Sequence, residues 1–323
     1  MSVLVNRLRQ LPVKQILQGL ILAAALFFLG GVLYRQWDQV RAYPWQLAWP
    51  WLAGSFVVLA VTWLLQVGLW RWLLGRLGGL LGRAQAWRIW WLSNIIRYIP
   101  GNVWQYLGMV YLCQEAGIGQ VQTLTSVVLH QAISIGAGLL VAGAYFLLTW
   151  DLALGAKLLP FLVALPAALF LLQPRFFGRA INALLVRLGR QPIQFALTSR
   201  DLLALFVAHV ISWLLYGLGF YLFVRAAYPV GLSELPRLGA AFAAAYVIGF
   251  LSLLTPSGLG VREGVLIYLL SLSLPLPVAT VLAVASRLWL IAGELASTGV
   301  ALLVRSPWSV VPRTKDQGLR TKD

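Results

Sequence analysis

Apolar segments follow one another along almost the whole chain, and no other feature limits its fold as strongly. Hydrophobic residues occupy 60% of the 323 positions and charged residues only 11%, whereas a soluble globular chain carries about 25% charged residues. About 20 apolar residues are needed for one helical crossing of a membrane. The pattern therefore predicts an all-α, polytopic integral membrane protein and excludes a soluble enzyme. The apolar segments are 15–34, 48–70, 86–99, 103–113, 123–148, 152–172, 201–225, 237–254, 262–274 and 277–303.

The connections between these segments are short, so we expect a single transmembrane domain over residues 1–304. The first segment follows Arg7, Arg9 and Lys14, and no small-x-small cleavage site comes after it. We therefore interpret it as a retained helix and not as a cleaved signal peptide. Residues 305–323 are polar and basic, and we expect them to form a disordered cytoplasmic tail.

Two pairs of apolar segments, the third with the fourth and the eighth with the ninth, are each interrupted by proline and glycine. Proline removes a backbone donor and glycine frees φ, so both residues end helices. Each pair therefore predicts a broken hairpin, either re-entrant or made of short spanning helices. The hairpin tips are Pro100 and Gly101 in the first pair, and Pro256, Ser257, Gly258 and Gly260 in the second.

The unit of span, broken hairpin and span occurs twice, at 48–148 and 201–303, with one extra span at 152–172 between. That extra crossing predicts two inverted repeats, which are typical of secondary transporters. The alternative is that the repeats only build a stable bundle. If the N-terminus is cytoplasmic, 17 of the 25 Lys and Arg residues fall on the cytoplasmic side and 5 on the other. This bias predicts a cytoplasmic-membrane protein with both termini in the cytoplasm.

Few ionisable residues lie within the hairpins and the last span, where charge is costly and often functional. Arginine binds two phosphate oxygens at once, and helix N-termini at the breaks offer N–H groups to an anion. We therefore predict a site for an anionic, phosphate-bearing lipid. Its predicted residues are Arg97, Asn102, Gln105, Arg262, Glu263, Arg287 and Glu294. The alternative is that these arginines only pair with the two glutamates and hold the hairpins together.

Other chemistries have little support in the sequence. One cysteine and two histidines exclude an internal disulfide and leave little for a metal site. We interpret His130 as a helix-to-helix hydrogen-bonding residue, and His209 and Cys113 as structural. The net charge of +16 lies in short loops between apolar segments, which favours anionic lipid heads over nucleic acid. No nucleotide-binding or hydrolase motif occurs, so we expect no cofactor, no metal and no enzyme activity.

Two stretches resemble motifs of a known family. Arg97-Tyr-Ile-Pro-Gly-Asn-Val-Trp-Gln-Tyr-Leu-Gly108 resembles the first motif of the lysylphosphatidylglycerol synthase transmembrane, or flippase-like, family. Pro256-Ser-Gly-Leu-Gly-Val-Arg-Glu-Gly264 resembles its second motif, and Arg287 falls where the family tends to have an arginine. The resemblance covers roughly residues 15–303.

The resemblance implies a membrane domain that, in the best-known members, moves an aminoacylated phospholipid between leaflets beside a soluble aminoacyltransferase domain. This chain ends 20 residues after its last span, so we expect a standalone member that lacks the synthase domain. After the first motif the family often has acidic and arginine residues. Here the stretch reads His130-Gln131-Ala132-Ile133-Ser134.

Two functions remain open at this stage. The first is a flippase or transporter-like protein for an anionic lipid or lipid-linked intermediate, working by alternating access. The second is a non-transporting membrane partner of a glycosyltransferase or other lipid-modifying enzyme. Its docking surface would be the basic loops 71–88 and 173–200.

Overall fold

The computed structural model describes residues 45–95, 104–148, 197–252, 258 and 260–303, with isolated positions between 31 and 41 and between 179 and 187. In these ranges the chain is helical and contains no strand. The helices are α1 (Trp49–Arg76), α2 (Arg83–Asn94), α3 (Trp104–Glu115), α4 (Gln120–Leu148), α5 (Ser199–Ala227), α6 (Leu235–Leu251), α7 (Val261–Ser271) and α8 (Leu276–Leu303), and a 3-10 turn at Leu232–Glu234 precedes α6.

The prediction of an all-α chain is confirmed for the described ranges. The predicted segments 15–34 and 152–172, and the tail 305–323, lie outside the described residues. Helix α1 runs six residues beyond the predicted end of its segment at Trp70. The added turns carry two arginines whose side chains have partners within the protein. Arg71 donates from Nε to the Leu81 carbonyl at 2.7 Å, and Arg76 pairs with Asp201 at 3.0 Å.

Five helical stretches of the described chain are long and apolar enough to cross a membrane. They are Trp49–Arg76, Gln120–Phe146, Ser199–Ala227, Leu232–Leu251 and Leu276–Leu303. The fourth differs from our expectation of a short segment at 237–254. The chain becomes helical earlier, at the 3-10 turn, so this stretch reaches 20 residues.

Helices α2, α3 and α7 are short, with 12, 12 and 11 residues. At 1.5 Å per residue, α7 is about 17 Å long, roughly half of the hydrocarbon core of about 30 Å. The predicted hairpin tips fall between α2 and α3 and between α6 and α7, in connections that lie largely outside the described residues. We call residues 95–103 the first break and residues 252–260 the second break.

The helices pack into one bundle. The most extensive contact joins α1 to α5, and α5 also packs on α4 and α6. Helix α2 packs on α3 and α8, while α6 packs on α7 and α4. The largest core cluster draws residues from both ends of the chain, from Leu59 of α1 to Ala301 of α8.

Close backbone contacts hold some of these helices together. A Cβ atom built on Gly217 of α5 would lie 2.9 Å from the Cα atom of Gly239 of α6. Small residues allow such approach, and the resulting van der Waals contact drives helix association in lipid. A hydrogen bond from Trp213 Nε1 to the Ser134 carbonyl, 2.8 Å long, joins α5 to α4. The bundle is therefore fixed around the cavity described below.

Candidate functional site

A central cavity of about 250 Å³ lies inside the bundle. Every one of the eight helices contributes lining residues, and many of them are polar or aromatic. Predominantly apolar helices surround this polar space, and polar groups within a membrane domain commonly mark a substrate pathway. The central cavity is therefore the candidate functional site.

The second break brings Arg262 to this cavity. Gly258 has a φ of +67°, and a Cβ atom on it would lie 2.7 Å from the carbonyl carbon and oxygen of Gly249. A Cβ atom on Gly249 would in turn lie 2.7 Å from the Arg262 Cβ. Glycine at both positions allows these close contacts with the α6 backbone. The start of α7 therefore lies directly on α6, and Arg262 is only 4% exposed.

The Arg262 guanidinium lies over two aromatic rings of α6. Its Cζ atom is 5.1 Å from the ring centroid of Phe242 and 5.4 Å from that of Tyr246. Cation–π contacts of this kind stabilise a charge that has lost part of its hydration. These contacts use the face of the guanidinium, whereas its hydrogen bonds are donated in the plane of the fork, a geometry that suits an oxyanion.

Glu263 has two structural roles beside the cavity. Its Oε2 atom accepts a hydrogen bond from the Gly260 N–H at 2.7 Å, which caps the N-terminus of α7. Its Oε1 atom lies 3.5 Å from Nη1 of Arg287 in α8. One N–H group that we expected to face an anion is thus satisfied by the chain's own carboxylate.

The charges of the site balance among the described residues. Two arginines, Arg262 and Arg287, accompany two glutamates, Glu263 and Glu294. The positive surplus predicted from the sequence therefore depends on Arg97, which lies outside the described residues. The Glu263 charge is also offset by the partial positive charge of the α7 N-terminus.

The structure brings four of the predicted binding residues to the central cavity, namely Gln105, Arg262, Arg287 and Glu294. Glu263 contacts one of them, Arg287. Of the predicted tips, Gly258 lines the cavity and Gly260 precedes α7 with a φ of +83°. The remaining predicted site residues lie outside the described residues: Arg97, Pro100, Gly101, Asn102, Pro256 and Ser257.

Sequence reasoning missed the part of the cavity that α1 and α2 form. Gln66, Trp91 and Ser93 line it and are buried. None of them belongs to a recognisable motif, because their importance comes only from tertiary packing. One signal was present, since Gln66 is the most polar residue of segment 48–70 and a polar residue in a span is a functional candidate.

The two histidines lie against each other beside this part of the cavity. Their ring centroids are 4.6 Å apart in an edge-to-face arrangement, and the Trp90 ring is 5.3 Å from His130. His130 lines the cavity, while His209 is completely buried. The hydrogen bond that we predicted for His130 does not involve Nδ1, which has no partner within the described part of the chain.

A smaller side crevice of about 140 Å³ adjoins the cavity between α2 and α8. It shares Trp91, Asn94 and Glu294 with the cavity lining. Its other lining residues include Ile95 and Leu295, which are exposed on the outside of the bundle. The crevice therefore joins the polar interior to an apolar outer surface.

A family model described as the lysylphosphatidylglycerol synthase TM region matches residues 15–292. The chain belongs to this family. The match confirms the resemblance carried by the two motifs, and it covers α1 to α7 and the first half of α8. No curated protein and no solved structure matches the chain.

Membership of the lysylphosphatidylglycerol synthase TM family and the five apolar helices together identify a multi-pass membrane protein. The family is defined by a membrane region and not by the soluble catalytic domain of the synthase. The matched range includes Gln105, Arg262 and Arg287 of the cavity, while Glu294 lies two residues beyond its end.

Proposed function

We propose that this protein is a flippase-like transporter that binds the phosphate of an anionic lipid in the central cavity. The observation that carries the proposal is the position of Arg262. This arginine is buried and lines a polar cavity within a membrane domain. A phosphate there would meet Arg262 in a poorly hydrated site, where charge-assisted hydrogen bonds are strong.

The side crevice supports the view that this phosphate belongs to a lipid and not to a soluble molecule. The cavity, at about 250 Å³, lies below the 300–1,000 Å³ typical of small-molecule pockets, so it suits a headgroup and not a whole lipid. In our proposal the headgroup occupies the cavity, and its chains leave through the crevice beside Ile95 and Leu295. A soluble anion has no apolar chain that could occupy the crevice.

The helix contacts support a mechanism of alternating access. The contact of α2 with α8 corresponds to that of α6 with α4, and the pair α2–α3 corresponds to α6–α7. When α1, α2, α3 and α4 are exchanged with α5, α6, α7 and α8 in that order, many of the same helix-to-helix contacts are found again. Two inverted repeats with broken hairpins would require such a correspondence. In the proposed mechanism one repeat rocks against the other, in a cytoplasmic membrane with both termini in the cytoplasm.

The first experiment is mass spectrometry of lipids retained on the gently purified full chain. Wild type is compared with Arg262→Ala and with the control Arg83→Ala, which removes an exposed arginine outside the cavity. We expect wild type and Arg83→Ala to retain an anionic lipid and Arg262→Ala to lose it. Equal retention by all three folded proteins would overturn the proposed site.

The second experiment measures translocation of fluorescent anionic lipid in proteoliposomes, by protection from an impermeant quencher. Wild type and Arg83→Ala should move the lipid, and Arg262→Ala should not. If the wild-type protein retains and moves no lipid but purifies with one enzyme in fixed stoichiometry, the proposal fails. That outcome would favour the non-transporting partner function, with a glycosyltransferase or lipid-modifying enzyme as partner.

A further inference from the structure

The lining of the central cavity divides into two walls of different chemistry. The charged residues that line it in the described chain, Arg262, Arg287 and Glu294, come from α7 and α8. We call them the charged wall. The polar residues that α1 to α4 contribute are mostly uncharged amides and hydroxyls, and we call them, with the tryptophans beside them, the neutral wall. Its polar members are Gln66, Ser93, Asn94, Gln105, Tyr106, His130, Gln131 and Ser134.

Four side chains on the neutral wall have buried polar atoms without a hydrogen-bond partner in the part of the chain that the structure describes. These atoms are Gln66 Oε1, Trp91 Nε1, Ser93 Oγ and His130 Nδ1. The residues are 6%, 3%, 1% and 5% exposed, so bulk water does not satisfy them. A buried polar group without a partner is costly, so a ligand in the cavity toward which these four side chains turn would supply the missing bonds.

The kinds of atom define that ligand. The Trp91 indole only donates, whereas an amide, a hydroxyl and a neutral imidazole both donate and accept. A fully ionised phosphate only accepts, so it would leave the carbonyl oxygen of Gln66 unsatisfied. A hydroxyl group donates and accepts at one atom, so several hydroxyl groups on one small ring or chain would satisfy the whole set.

We infer that the neutral wall binds an uncharged, hydroxyl-rich group, a sugar or polyol, joined to the phosphate that the charged wall holds. The inference rests on the proposed function and adds the substrate class. Trp90, which lines the cavity and is only partly buried, offers a flat apolar surface with a polar edge, which suits the C–H face of such a ring. An amine headgroup fits less well, because an ammonium only donates hydrogen bonds and leaves the Trp91 Nε1–H without an acceptor.

The test compares two short-chain lipids of equal charge with the full-length purified protein. Dioctanoyl phosphatidylinositol carries a polyol on its phosphate, whereas dioctanoyl phosphatidylmethanol carries none. Binding is measured by titration calorimetry for wild type and for the variant Gln66→Leu with Ser93→Ala. The control is Gln114→Leu, which removes an exposed amide of α3 outside the cavity lining. Melting temperatures verify that each variant is folded.

We expect wild type and Gln114→Leu to bind the inositol lipid at least tenfold more tightly than the methanol lipid. Each hydrogen bond lost should cost about three- to tenfold, so the double variant should lose most of this preference and bind the methanol lipid as wild type does. Equal affinity of wild type for both lipids, or a full preference in the folded double variant, would overturn the inference while leaving the phosphate site intact.

Two further arms separate the inference from the proposed function. Arg262→Ala should lose both lipids, and if wild type binds neither lipid, the proposed function and the inference fail together. Free inositol 1-phosphate serves as a competitor. Weak competition supports a lipid as the source of the group. Competition as strong as that of the lipid itself supports the neutral wall but contradicts lipid transport.

Discussion

Removal of the Glu263 charge should destabilise the protein strongly. The carboxylate caps α7 through Gly260 at 2.7 Å and pairs with Arg287 at 3.5 Å. The two side chains of the pair are only 4% and 12% exposed. Breaking a buried ion pair costs about 3–5 kcal/mol, and losing a helix cap costs about 1 kcal/mol. Glutamine keeps an oxygen for the Gly260 N–H, so we expect Glu263→Gln to cost about 3 kcal/mol and Glu263→Ala about 4 kcal/mol.

The measurement is the free energy of unfolding in mixed micelles, titrated with denaturing detergent and followed by tryptophan fluorescence. Glu234→Gln is the matched control, because Glu234 lies at the same 3.5 Å from Arg237 but the side chains are 30% and 42% exposed. Exposed pairs contribute about 0–1 kcal/mol. If Glu263→Gln costs no more than Glu234→Gln, our account of the buried pair is refuted. If Glu263→Gln and Glu263→Ala lower the free energy of unfolding equally, the cap on α7 contributes nothing to stability.

Three further predictions test local features. Gly258→Ala should cost about 1–3 kcal/mol because alanine is strained at a φ of +67°; the same titration should find Gly264→Ala, with open space around its Cβ position, harmless. Thr198→Ala should cost about 1 kcal/mol, since the Thr198 hydroxyl caps α5 by accepting from the Asp201 N–H at 3.2 Å; a loss of thermal stability no greater than that of Arg83→Ala would contradict this. Cys113 is fully buried, so it should resist a maleimide reagent until the protein is denatured, and rapid labelling of folded protein, read by mass spectrometry, would disprove the burial.

Most helices of the described chain could be predicted from the sequence because apolar runs and breaker residues act locally. The last helix was predicted at 277–303 and runs from Leu276 to Leu303. The prediction was wrong for the end of α1, because it treated Arg71 as the end of a span. In the structure a carbonyl 10 residues away accepts a hydrogen bond from that arginine. Such a partner is a tertiary feature that hydropathy does not contain.

The charged wall of the candidate site could also be predicted from the sequence. Arg262, Arg287 and Glu294 are rare charges in apolar segments, so their cost singles them out. The capping role of Glu263 follows from its spacing three residues after Gly260. Gln105 of the neutral wall was predicted as well, but Trp91 and Ser93 could not be, because they reach the cavity only through the packing of α2 beside α1 and α8.

The division of the cavity into two walls has a consequence for handling the protein. Any ligand that contacts both walls links α7 and α8 to α1–α4, and so stabilises the folded state by mass action. At a ligand concentration 100 times its dissociation constant, this linkage contributes about 2.7 kcal/mol. If that ligand is the proposed lipid, the apparent stability of the purified protein depends on how much of it accompanies the protein, and extensive delipidation would lower the free energy of unfolding.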